Sequence, residues 1–261
     1  MARAIWSGAI SFGLVNVPIK LYSATSPKSV RFHQISAKTG ARVRQKRVDP
    51  STGDEVPYEE IVKGYEISPD RYVLIDPEEL ESLDPKATKT IDIEDFVDLD
   101  EIDPIYYDHS YYLAPTAGGA KAYRLLLDAM RESGKVGIGR VVLRSKQQLC
   151  ALRPTGDVLT LSTMLFGDEV RDTKDVEAAT QKAHKPSAAQ LKAAVAVIEE
   201  LSGDFEPGEW KDRYRRRLQD VVSRKRKGKT IKAPEPRDTA PSDEAPDLMA
   251  ALEQTLAEMR G

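Results

Sequence analysis

The chain has 261 residues, 40% of them hydrophobic, which is enough for one large domain or two small ones around a real core. The single cysteine, Cys150, excludes an internal disulfide and suits a reducing cytosol, and no run of 18 apolar residues is present to cross a membrane as a helix. The net charge of -3 hides a segregation: residues 1–48 carry nine Lys or Arg and no acid, residues 54–108 carry 19 acids against four bases, and residues 121–153 and 205–232 are basic again. A ligand meets local charge within a screening length of about 8 Å, so one face suits a polyanion while the acidic stretch suits solvent.

Residues 5–23 alternate apolar and small residues up to VNVPIKLYSA. That pattern predicts a buried strand pair, not a secretory leader, because Ser7, Gly8, Ser11, Gly13 and Asn16 interrupt the apolar run. FHQIS and ARVRQKRV predict two strands joined around Lys38, Thr39 and Gly40, and DPSTGDEV predicts a turn carrying Pro50 and Gly53. DRYVLI predicts a further strand, followed by a short helix with Asp76 as cap, Pro77 at its first position and Glu79 three residues after the cap. KTIDIEDFVDL and IYYDHSYYLAP return to strand character.

AKAYRLLLDAMRESG predicts an amphipathic helix with Tyr123, Leu126, Leu127 and Met130 on one stripe and Gly134 as its stop. Three strands follow in VGIGRVVLR, QLCALRP and VLTLSTMLF. Ser187 and Gln190 form a capping box before a helix carrying Leu191, Val195 and Ile198, which ends at Gly203. The next helix carries Trp210, Tyr214, Leu218 and Val221 as packing residues and ends near Gly228. The fold class is mixed β/α: a β-rich body with peripheral helices and a helical arm over residues 1–232, a disordered linker over 233–246, and a short amphipathic helix over 247–261. In that last helix Leu248, Leu252 and Leu256 fall at i, i+4 and i+8, flanked by Met249 and Met259. Such a short helix orders by laying its stripe in a partner's groove or by folding back on its own core.

Enzyme signals are thin, and no catalytic residue, cofactor or metal site is expected. His33, His109 and His184 are far apart in sequence, and no Cys-x-x-Cys exists. GKVGIG (residues 134–139) lacks the Gly-Lys-Ser/Thr ending of a phosphate loop and sits in a strand-like run. Cys150 lies in an apolar strand and reads as a structural thiol. The acids of residues 54–108 read as a solvated face; the alternative is a metal-dependent DNA-processing enzyme that uses them to hold Mg²⁺.

The basic segments are more informative. In a strand, Arg42, Arg44 and Lys46 would point to one side about 6.6 Å apart, against a rise of about 3.4 Å between successive phosphates of a DNA strand. Arg140, Arg144, Lys146 and Arg153 form a second basic strand pair, and RYRRRLQDVVSRKRKGK a third cluster. Phosphate contact without base readout unites them. The DNA-binding candidates are Arg31, Arg42, Arg44, Lys46, Arg47, Arg140, Arg144 and Lys146.

RAIWSGAISFGLVNVPIKLYSAT, RFHQI and RVRQKRV together resemble the prokaryotic Ku proteins of non-homologous end joining. The resemblance continues through SYYLAP, VVLRSKQQLCALRP, LFGDEVRD and FEPGEWKDRYRRRLQDVV, over roughly residues 2–230, and DLMAALEQTLAEM resembles the family's short C-terminal segment. It implies a Ku-type β-barrel core, residues 1–232, with a bridge and a helical arm. It further implies a ring-shaped homodimer that double-stranded DNA ends thread, recruitment of the ATP-dependent DNA ligase D, and no catalytic site. By the same resemblance Leu248, Leu252, Leu256 and Met259 would contact the ligase, and the protein would act in the bacterial cytoplasm at the nucleoid. Two features depart from relatives. Asp49, Pro50, Ser51 and Thr52 stand where many carry Cys-x-x-Cys, and the region after Lys232 has seven acids and two bases where some carry a lysine-rich tail.

Overall fold

The computed structural model describes residues 3–76, 78–79, 89–144, 146–174, 176, 185–227 and 248–260. Period-two alternation builds the first of two compact units, Met1–Asp172, around a closed barrel. Strands β1 (Trp6–Phe12) and β2 (Val15–Ser23) form a hairpin; β5 (Thr90–Asp98), β6 (Tyr107–Pro115), β7 (Lys135–Leu143), β8 (Lys146–Thr155) and β9 (Val158–Met164) complete it. The order around the barrel is β1-β2-β6-β9-β8-β7-β5. Closure comes from parallel pairing of β1 with β5, Ile10 opposite Ile91, while the other neighbours are antiparallel. Closing the sheet removes its edges, so the long apolar strands bury without templating aggregation.

Inward residues Ile10, Val17, Ile19, Leu21, Ile91, Leu113, Leu152, Leu159 and Leu161 form the core. Helix α1 (Ala120–Ser133) lays Tyr123, Leu126, Leu127 and Met130 onto it, the stripe expected from the sequence. Gly134 ends the helix in the left-handed region at φ 68°. The Tyr123 hydroxyl donates to the Leu113 carbonyl and accepts from the Leu159 N–H, both at 2.7 Å, so one side chain ties helix to barrel. Burial pushes its phenol pKa up. Cys150 is buried in β8 and its thiol is pushed up to about 12, chiefly by burial. In β7 a Cβ on Gly139 would lie 2.1 Å from the Asp92 carbonyl oxygen, so the glycine-rich GKVGIG run serves strand packing against β5.

Between β2 and β5 the chain leaves the barrel. The strands expected at FHQIS and ARVRQKRV are reduced to isolated bridges, Ile35 to Arg42 and Val48 to Glu55. Phe32, Ile35, Val43 and Val48 are exposed there, with no apolar layer to hold a regular ladder. The regular hairpin lies further on, between β3 (Lys63–Ser68) and β4 (Arg71–Ile75). DRYVLI signalled β4, whereas KGYEIS hid β3 behind Lys, Gly and Glu, residues depleted in strands. Pro77 and most of the helix expected after Asp76 lie outside the described residues; the Asp76 N–H donates to Glu79 Oε2 at 3.0 Å, as a capping box requires.

The second unit, Thr173–Gly261, carries helices with irregular chain over residues 202–212. Helix α2 (Ala188–Leu201) opens with the expected capping box: the Gln190 N–H donates to Ser187 Oγ at 3.2 Å and the Ser187 N–H to Gln190 Oε1 at 2.9 Å. Helix α3 (Arg213–Arg226) starts three residues after Trp210, because the Asp212 carboxylate accepts the Arg215 N–H at 2.8 Å and caps it there. The expected packing role of Trp210 and Tyr214 is corrected: they are 77% and 72% exposed. Helix α4 (Leu248–Arg260) lies against α2 with Leu252 and Leu256 half-buried, the fold-back alternative for this stripe. The expected linker over 233–246, His184, and the side chains of Leu248 and Met259 lie outside the described residues.

Candidate nucleic-acid interface

The eight basic candidates are exposed and fall in the first unit, but they do not form one surface pattern. Arg42 and Arg44 line an open groove of about 850 Å³ with Phe32, His33 and Gln34. The groove exists because the chain doubles back at Gly40, φ 69°, where the Ile35–Arg42 bridge closes the turn. Two guanidiniums beside an exposed aromatic ring form a site suited to a phosphodiester chain with unstacked or terminal bases. Arg31 lies just before this segment and is exposed.

The single-faced strand expected for Arg42, Arg44 and Lys46 is absent, and Lys46 behaves differently from the two arginines. Its Nζ lies 2.5 Å from Glu55 Oε2, and that hydrogen bond raises its pKa. Arg47 stacks over the Tyr58 ring, 5.3 Å from the centroid. On the barrel wall Arg140 Nη1 contacts both oxygens of Glu94, at 2.5 and 2.7 Å. Exposed pairs of this kind are worth about 0–1 kcal/mol, so a phosphate can replace the carboxylate at small cost.

Arg144 and Lys146 lie elsewhere, at the mouth of the barrel where β7 ends and β8 begins, lining a cavity of about 750 Å³. Arg3, which sequence reasoning counted only within the acid-free opening segment, joins them. Phe32 was also missed as a site residue; its signal is an aromatic flanked by Arg31 and His33 in a strongly basic stretch. Among the described residues no three His, Cys, Asp or Glu side chains converge as a metal site requires. The arrangement can hold polyanions through charge and stacking.

Residues 11–193 match the family model of the Ku70/Ku80 beta-barrel domain. The chain belongs to the Ku family. It is 48% identical to the "Non-homologous end joining protein Ku" of Anaeromyxobacter sp. (strain K), over 100% of this chain and 87% of that one. It is 42% identical to "Non-homologous end joining protein Ku 1" of Saccharopolyspora erythraea, over 100% of this chain and 80% of that protein. It is 40% identical to "Non-homologous end joining protein Ku 1" of Geotalea uraniireducens, over 99% and 98% of the two chains. The Ku match spans the barrel strands apart from most of β1, and it includes the groove of Arg42 and Arg44 and the residues Arg144 and Lys146.

Proposed function

We propose that this Ku-family protein binds the ends of double-stranded DNA in bacterial non-homologous end joining, acts there as a ring-shaped homodimer, and recruits and stimulates the ATP-dependent DNA ligase D. The observation that carries the reading is the Ku barrel match over residues 11–193, which contains a cationic excursion after β2, free of acids as far as Val48, with Arg42 and Arg44 in an open groove. Contacts of this kind go to phosphates and leave sequence unread. Encirclement accounts for end preference by topology, since a closed circle offers no end to thread.

Homodimerisation is supported by unpartnered apolar surface. In the β3–β4 hairpin Tyr65, Tyr72, Val73 and Leu74 are 66%, 56%, 49% and 65% exposed. A two-stranded sheet is marginal alone in water and gains stability from further strands or a covering layer. A second copy's hairpin supplies both. Trp210 and Tyr214 form a second exposed aromatic surface of the kind that anchors interfaces. For the ligase, the stripe of Leu252 and Leu256 is the docking element; it would exchange the α2 face for the partner's groove. Leu248 and Met259 extend that stripe in sequence. The protein would work in the cytoplasm at the nucleoid.

The metal-dependent alternative has no observation in its favour: among the described residues the acids of 54–108 do not gather into a site. The deciding experiment is a mobility shift on linear and covalently closed circular duplex of one sequence, with light scattering on the same sample. Retention of linear DNA alone by a species of twice 29.0 kDa is the expected result. Equal retention of both forms would remove the ring.

A further inference from the structure

The barrel mouth carries a second cationic site, distinct from the groove of Arg42 and Arg44. Its walls come from the start of β1, the end of β2, the start of β6 and the β7–β8 turn. Arg3, Arg144 and Lys146 line it, and no ion pair with a carboxylate engages any of them among the described residues. The acid on the wall, Asp108, has its Oδ1 2.6 Å from His109 Nδ1. Leu143 and Thr163, at 8% and 2% exposure, form a buried floor, and Trp6 adds an aromatic wall. Low-dielectric walls around like charges focus an attractive field on anions.

The turn itself shows the cost of this arrangement. Three pairs close two-residue hairpin turns in the barrel: Phe12–Val15, Leu143–Lys146 and Thr155–Val158. At the first turn position two of them use glycine, Gly13 at φ 58° and Gly156 at φ 53°. The third uses Arg144 at φ 52°, where a side chain is strained. Such strain persists where the side chain does something a glycine could not. Here it holds a guanidinium at the rim of a cavity beside two further cations.

From this we infer that the barrel mouth binds a phosphate monoester of nucleotide or sugar-phosphate size. The volume of about 750 Å³ fits a small organic ligand and is generous for inorganic phosphate. A forked guanidinium and point-charge amines are the usual partners of a dianionic phosphate. Trp6 and the Leu143 side chain would take the sugar or base. A duplex is too wide to enter a concave mouth, so the ligand is either a free phosphorylated small molecule or the phosphorylated terminal nucleotide of a strand; the second source rests on the proposed DNA-end function.

The chain has two tryptophans, Trp6 and Trp210, so a W210F protein reports on the mouth through Trp6 alone. The probes are ribose 5-phosphate, ribose, and linear duplexes with 5′-phosphate or 5′-hydroxyl ends. The expected result is a saturable change in Trp6 emission with ribose 5-phosphate and none with ribose. Arg144→Gly should weaken that response at least about tenfold, as removal of one charge-assisted hydrogen bond does. Because glycine suits φ 52°, the same variant should melt at or above the parent temperature, which separates a binding defect from a folding defect. Lys146→Gln should weaken binding as well. A stronger Trp6 response to the 5′-phosphate duplex than to the 5′-hydroxyl duplex would identify the strand terminus as the source. Equal duplex responses with ribose 5-phosphate binding intact would identify a free ligand. No response to ribose 5-phosphate, or full affinity in Arg144→Gly, overturns the inference. Loss of linear-over-circular discrimination in the unsubstituted protein would remove the proposed function and leave the free-ligand arm standing.

Discussion

Arg42 and Arg44 differ from Lys46 and Arg140 in one respect that governs their predicted effects: the latter two already hold a carboxylate. Replacing Arg42, Arg44, Lys46 and Arg144 together by Ala should weaken binding to linear duplex and reduce the magnitude of the salt slope by about 0.9 for each phosphate no longer neutralised. Filter binding across a salt series checks this, and unchanged affinity at moderate salt would remove the assignment. Taken singly, R42A and R44A should cost more than R140A, which also frees Glu94. Tyr123 governs stability, not binding. Y123F leaves the Leu113 carbonyl and the buried Leu159 N–H without their partner, so it should destabilise the fold by about 1–3 kcal/mol. The urea midpoint should fall with an unchanged slope. The charge of the basic residues was legible in sequence. Which of them carry a carboxylate was not, because Glu94 reaches Arg140 only through β5–β7 pairing, 46 residues apart in sequence.

The elements show the same division. Capping chemistry is local, so Ser187–Gln190 and Gly134 mark their helix ends in the sequence itself. The excursion between β2 and β5 departs from its sequence pattern, because alternation in ARVRQKRV signals a strand only where a neighbouring strand and an apolar layer exist. The hairpin that does form, β3–β4, is apolar on exposed positions, and L74E with Y65E should shift the protein toward a 29.0 kDa species in sedimentation analysis while leaving the barrel's circular dichroism intact. A dimer of unchanged affinity would exclude the hairpin from the interface. The C-terminal helix is tested separately. Deleting residues 247–261 uncovers the α2 face. Dimerisation and DNA binding should persist while stimulation of ligase D in an end-joining assay disappears. If the truncated protein unfolds or no longer binds DNA, the helix is a structural part of its own unit.

At the scale of the molecule, the protein should retain linear duplex and release closed circles, and a mobility shift combined with light scattering measures end preference and assembly together. From the sequence alone came the segregation of charge, the barrel strands with their covering helix, and the likeness to Ku. Each of these depends on composition, short-range periodicity or a local motif. The tertiary structure decided what depends on contacts between distant residues: closure of the barrel by parallel β1–β5 pairing, the pairing of Arg140 with Glu94, the docking of α4 on α2, and the gathering of Arg3, Arg144 and Lys146 at one mouth. Arg3 and Arg144 are 141 positions apart, and no spacing rule links them. They meet because strand register, set by which face of each strand is buried, brings the start of β1 beside the end of β7.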